Sequence, residues 1–360
     1  MANEKKTVRE PSFILALVPI VAMIGFMLYC FRGHSETGYH DAHLPLVMSI
    51  IVACIVGFIC GHSFQEMLAG MVERLAASME AVLILATVGF LVTSFMLSGA
   101  IPTMIVYGLD LLTPKLFLPV GCILCAIVGM ACGSSWTTTA TIGLAFLGIG
   151  AGLGIPAPIT AGMIISGAYV GDKFSPLSDT TNLAAAVAET GLFDHVTAMV
   201  STTGPTLLLS LILYTILGLN VDTSAYDATV AEGIQEAFRS AFTISPILLL
   251  PIIVVIVMCI LRVPGLVGIA VSVATAVLFM LIFQSTDIFY SYSLGDIFDV
   301  LHYGNAVETG NAVADSILGK AKGMDGMMWT INLILVALAY GGALERCGCI
   351  EKLFGGLKHK

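Results

Sequence analysis

Residues 171–182 read GDKFSPLSDTTN, placing two aspartates, a lysine, a proline and five hydroxyl or amide side chains between long apolar runs. A charge at the centre of a membrane helix costs roughly 2.5–3.5 kcal/mol on insertion scales, so such residues mark cavities, ion paths or buried partners. Asp172 and Asp179 therefore decide how the rest of the chain is read.

The apolar runs on either side belong to a membrane protein. Of 360 residues, 58% are hydrophobic and only 11% charged, and the mean hydropathy is +0.98; a soluble domain carries about 25% charged residues. Runs approaching the roughly 20 residues that a spanning helix needs lie at Ser12 to Phe31, Leu44 to Cys60, Ala81 to Leu97, Leu116 to Cys132, Val196 to Leu219, Ala241 to Leu261, Leu266 to Phe283 and Met327 to Leu344. Period-two alternation is absent, which argues against a barrel. The expected fold class is all-α, a polytopic membrane helix bundle with discontinuous helices or re-entrant segments. Lys5, Lys6 and Arg9 precede the first run, and no small-residue cleavage site follows it, so it reads as a retained helix with a cytoplasmic N-terminus.

The net charge of −9 comes from acid in two polar loops, Asn220 to Arg239 and Gln284 to Asp325, which excludes nucleic acid as a partner. Lipid and small solutes remain. Most of the nine cysteines sit in or beside apolar runs as small hydrophobes; Cys122 and Cys125 share a helical face, but no histidine or second pair joins them to make a metal site. Glu66, Glu73 and Glu80 recur at seven-residue intervals and read as one solvated helix face. Asp194 and His195 read as a membrane-edge turn, and Glu189 as an interfacial or access-path carboxylate.

Three interruptions divide the apolar pattern. Pro102, Gly108, Pro114 and Pro119 surround Asp110 and Lys115, which suggests a surface loop. After Cys132, GSSWTTTAT is rich in hydroxyls between two apolar half-segments, a candidate broken helix. The third is GDKFSPLSDTTN itself. Non-helical backbone at membrane depth survives only where protein or a watery cavity covers it, and its freed carbonyls become ligands. A weak repeat pairs Ala81 to Tyr107 with Met328 to Gly356, SGAIPTMIVYG being echoed by CGCIEKLFGG. It suggests inverted repeats with the second one incomplete. The expected division is 1–284 as first repeat and connecting spans, 285–326 as a polar loop with short amphipathic helices, and 327–360 as the start of a second repeat. GNAVET at Gly304 followed by GNAVAD at Gly310 reads as a duplicated helix-capping turn.

A small hard cation such as Na⁺ prefers oxygen ligands. Ser134, Ser135, Thr137 and Thr138, with Trp136 among them, supply one candidate set; Asp172, Ser175, Ser178, Asp179, Thr180, Thr181 and Asn182 supply the other. A carboxylate shielded from water holds either a proton or a metal ion, and that mutual exclusion suffices for cation/proton exchange. Asp179 is the expected exchanging carboxylate, because hydroxyl and amide neighbours surround it and Pro176 opens the helix before it. Asp172 and Thr138 join it as expected Na⁺ ligands, with ion pairing to Lys173 as the other reading for Asp172. A purely structural alternative has Asp179 capping the following half-helix.

GSSWTTTATIG at 133–143, GDKFSPLSDTTNLA at 171–184 and MMWTINLILVALAYGGALERCG at 327–348 resemble the NhaC Na⁺/H⁺ antiporter family. The resemblance implies a multi-span antiporter of the inner membrane, with Na⁺ and H⁺ as transported ions, no cofactor besides them, and a role in pH homeostasis. The family also includes exchangers that couple malate and protons to Na⁺ and lactate. Its members continue through further spans after the MMWT region, which implies a companion chain for a missing half; a second copy of the chain is the other protein partner considered. Among other classes, an intramembrane aspartyl protease lacks its Gly-x-Gly-Asp, and a serine protease lacks a histidine in an apolar run. A passive channel or structural subunit would need no titrating carboxylate.

Overall fold

A computed structural model describes residues 8–33, 41–175, 178, 180–181, 184–185, 190–220, 228–261, 263–284, 294–304 and 307–355. Among them there is no strand. The helices are α1 (Phe13–Gly33), α2 (His43–Ile59), α3 (Phe64–Ala77), α4 (Met79–Leu97), α5 (Ala100–Leu111), α6 (Pro114–Cys132), α7 (Ser135–Thr138), α8 (Leu144–Gly152), α9 (Ala157–Phe174), α10 (Leu192–Leu219), α11 (Ala228–Ala241), α12 (Leu250–Ile260), α13 (Gly265–Phe283), α14 (Leu294–Tyr303), α15 (Ala312–Leu318), α16 (Asp325–Arg346) and α17 (Cys349–Phe354). A π-helical turn, Thr139–Gly143, joins α7 to α8, and a 3₁₀ turn, Pro246–Leu249, leads into α12. Five helices are long and apolar enough to cross a membrane, or up to seven spans if two bent helix pairs count as one each. The protein is therefore a polytopic membrane helix bundle.

The chain forms two compact units, Met1–Leu85 with Met328–Lys360, and Ala86–Met327. In the first, α1 lies along α2 and α17 packs on α1. Its core gathers Ala53, Cys54, Met67, Ala343, Cys347 and Cys349, and the Tyr340 hydroxyl donates to the Pro19 carbonyl at 3.0 Å. Asp41 accepts from both the backbone and the ring of His43, which holds its carboxyl below the usual carboxylate range; the ring also packs edge-on against Trp329. Ser63 and Glu66 form a reciprocal capping box at the start of α3.

In the second unit, α6 and α9 make the most extensive helix pair, and α10 covers both. Glycines permit their closeness. A Cβ on Gly129 would stand 2.7 Å from the Ala168 carbonyl oxygen, and Cβ atoms on Gly167 and Gly171 would collide with the Cys122 and Ala126 carbonyls. The Cys122 and Cys125 face seen in the sequence is thus a packing face against α9. Ser166 and Tyr214 share a hydroxyl hydrogen bond of 2.9 Å between α9 and α10. Elsewhere α10 turns its apolar side chains outward, Leu208 and Leu213 being 61% and 52% exposed, as a lipid-facing helix does.

Two expectations are corrected here. Asp110 lies in α5, not in a surface loop, because Pro102 falls in the first helical turn, where its missing N–H costs nothing. Gln235 donates to Asp110 at 2.8 Å and Arg239 approaches it at 3.8 Å, so α11 anchors this end of α5. The run from Ala241 to Leu261 is not one straight helix either. The chain bends by 90° between the helix ending at Ala241 and the one beginning at Pro246, since proline disfavours helix in the residue before it.

Gln284, which opens a polar loop in the sequence reading, is fully buried at the end of α13. Its side-chain amide donates to the carbonyl of Ser98 at 3.0 Å, at the α4–α5 break, and to that of Thr243 at 3.2 Å, in the 90° bend. Its Oε1 accepts from the Thr243 N–H at 2.9 Å. Gly99 (φ +81°) and Gly348 (φ +74°) each take the left-handed conformation as the residue before a helix. Gly304 and Gly310 are left-handed too, and Asn311 caps α15 by accepting from Val313 and Ala314; Asn305 lies outside the described residues.

Candidate functional site

The second unit's two hydroxyl-rich interruptions meet at Asp172. Gly133 ends α6 in the left-handed conformation (φ +63°), and the extended Ser134 starts the next helix by accepting from the Thr137 N–H at 3.2 Å. Thr138 donates to the Ser134 carbonyl at 2.9 Å and Thr141 to that of Thr137 at 2.7 Å. These hydroxyls serve their own helix. Ser135 does not. Its Oγ donates to Asp172 Oδ2 at 3.2 Å, across 37 residues of chain.

Asp172 occupies the last turn of α9 and is 5% exposed, as is Ser135. The glycine contacts between α6 and α9 bring it there, Gly171 being its immediate neighbour. Beyond it the chain folds back on itself. The Ser175 N–H donates to the Asp172 carbonyl at 3.1 Å, and Thr181 Oγ1 reaches the same carbonyl at 3.3 Å. Ser178 accepts from the Thr181 N–H at 3.3 Å and bonds the Thr180 hydroxyl at 3.0 Å. Lys173 sends Nζ to Thr180 Oγ1 at 3.1 Å, so it does not form the ion pair with Asp172 that its position in the sequence allows.

The electrostatics of this arrangement are unbalanced. A carboxylate offers about four lone-pair sites, and among the described residues Ser135 is the side-chain donor to Asp172. Its oxygens also lie at the negative end of the α9 dipole. Burial and the scarcity of side-chain donors leave the Asp172 oxygens with unused hydrogen-bonding capacity among the described residues.

Of the residues singled out in the sequence, Ser135 and Asp172 are in direct contact, and Ser175, Ser178, Thr180 and Thr181 surround the backbone just after Asp172. Ser134, Thr137 and Thr138 are engaged in local capping. Trp136 is 55% exposed and not part of the buried contact. Asp179 and Asn182 lie outside the described residues. Glycines 129, 167 and 171 were missed as site-forming residues; their four-residue spacing at 167 and 171 within an apolar run was the available signal.

The profile of the Na⁺/H⁺ antiporter family matches residues 167–359. A Na⁺/H⁺ antiporter NhaC of Alkalihalophilus pseudofirmus is 34% identical over 89% of this chain and 68% of its own length. The chain belongs to the Na⁺/H⁺ antiporter family. Other relatives with this ancestry carry different names: the arginine/ornithine antiporter ArcD of Halobacterium salinarum is 35% identical over 95% of this chain and 69% of its own, and the malate-2H⁺/Na⁺-lactate antiporter of Bacillus subtilis is 31% identical over 99% and 74%. No solved structure matches the chain. The family and its named members are transporters, and the resemblance to NhaC proteins holds across nearly the whole chain. A companion chain supplying a missing half, expected from the sequence, finds no support in these matches.

Proposed function

We propose that this antiporter exchanges Na⁺ for H⁺ across the cell membrane, and that Asp172 carries whichever ion is bound. The supporting observation is the buried Asp172 carboxylate with Ser135 as its donor, at the meeting of two helix interruptions. A proton neutralises this group, and so does Na⁺ held by its oxygens together with the Ser135 hydroxyl. One carboxylate cannot hold both, so loading one ion releases the other. Asp179, seven residues further along the sequence, is the exchanging group expected from the sequence and lies outside the described residues.

Residues 133–143 and 171–182 contain one cationic side chain, Lys173, and its Nζ is occupied by Thr180. A dicarboxylate calls for bidentate donors such as arginine, so an inorganic cation suits this site better than malate. The test uses everted membrane vesicles containing the full chain and a pH-sensitive dye. Added Na⁺ should dissipate the pH gradient, and Asp172→Asn should remove that response. Retained exchange in Asp172→Asn with loss in Asp179→Asn would move the ion to Asp179. Exchange of labelled malate or arginine without a Na⁺ response would replace the reading with that of the other relatives.

A further inference from the structure

The first unit holds a pair of thiols for which ion exchange has no use. Cys347 directly follows α16 and Cys349 opens α17, and both are fully buried in the core of that unit. Between them Gly348, at φ +74°, turns the chain so that the two sulfurs converge to 3.1 Å. A disulfide bond is about 2.05 Å long, so the sulfurs stand about an ångström beyond bonding distance.

The pair also has the asymmetry that thiol oxidation requires. When Cys347 loses its proton it accepts the Cys349 S–H, which pulls Cys347 down to about 7 and pushes Cys349 up. Cys347 is thus the sulfur that gives up its proton first, with Cys349 as the thiol at its side. Cys347 further contributes to the wall of a cleft of about 700 Å³, alongside Arg9, His62 and Arg346. Cys347 is the member of the pair that lines this cleft, and Cys349 lies behind it.

We propose that Cys347 and Cys349 form a redox-modification site, closing to an intramolecular disulfide when a small peroxide enters through the cleft. The Cys347 thiolate attacks one peroxide oxygen; the O–O bond breaks, hydroxide leaves, and Cys347 becomes a sulfenic acid. Cys349 then attacks the Cys347 sulfur, the S–O bond breaks and water departs. In sum, two thiols and one hydrogen peroxide give one disulfide and two waters, the sulfurs being oxidised and the peroxide reduced. The bridge staples the Gly348 break between α16 and α17, and a dithiol reductant restores the thiols.

The full chain in lipid nanodiscs is treated with hydrogen peroxide, denatured, alkylated and mapped by mass spectrometry. The peptide containing both residues should lose two hydrogens, and dithiothreitol should return them. In Cys349→Ser, dimedone should trap a sulfenic acid on Cys347; in Cys347→Ser, neither adduct nor bridge should form. Full alkylation of both thiols after peroxide would overturn the proposal, as would a bridge from Cys347 to Cys54 or Cys60, or oxidation of Cys349 first. The mapping of the unmodified sequence decides the matter even if a variant fails to fold.

Discussion

Asp172 and Gln284 are both buried polar side chains at the ends of helices in the same unit, and both touch an interruption elsewhere in the chain. They differ in how far their hydrogen-bonding capacity is used. Gln284 spends both amide hydrogens on the Ser98 and Thr243 carbonyls and accepts one N–H in return. It is neutral and balanced, so it fastens two breaks together and needs no ligand. Asp172 is an acid with Ser135 as its side-chain donor, at the wrong end of a helix dipole for a negative charge. Helix breaks thus serve two purposes under the proposed function, one filled by the protein's own amide and the other completed by an ion.

The contrast makes graded predictions. Replacing Asp172 by Asn removes the charge and keeps the shape, so Na⁺-driven proton movement in vesicles should fall to that of vesicles without the protein, with the folded yield unchanged. Gln284→Ala should do the reverse. It leaves two carbonyls and an N–H short of partners, at about 1–3 kcal/mol for an unsatisfied buried group. A detergent unfolding curve should register that loss, while exchange per folded molecule stays normal. If Gln284→Ala abolished exchange without lowering stability, the division between fastening and ion-binding breaks would fail. Ser135→Ala should weaken Na⁺ binding by about 1 kcal/mol, roughly fivefold, as one lost hydrogen bond does. Thr138→Val should shift Na⁺ affinity by less than about 0.5 kcal/mol, because this hydroxyl serves the Ser134 carbonyl of its own helix; a larger effect would bring it back as a ligand.

What the sequence revealed follows from how local each signal is. Long apolar runs announce spans, Gly133 followed by Ser134 announces a helix end and a new cap, and two aspartates among hydroxyls announce a polar break; all of these are read within a few residues. Gln284 was illegible because its partners lie 41 and 186 residues away, and beside a polar loop it looks like any loop glutamine. Pro102 misled, since a proline breaks a helix in its interior and is harmless in its first turn. Among the hydroxyls, composition could not separate Ser135, which reaches across to Asp172, from Thr138, which bonds backward within its own turn. That distinction depends on where α6 and α9 touch, and the three close-packed glycines determine it.

Sodium binding coupled to proton release is the decisive quantity. Nanodisc-embedded protein should be titrated with Na⁺ in two buffers of different ionisation enthalpy, for the natural sequence and for Asp172→Asn. Competition at Asp172 predicts about one proton released per Na⁺ bound and an affinity that declines as the pH is lowered, with neither signal in Asp172→Asn. Undiminished Na⁺ binding and proton release by Asp172→Asn would contradict it.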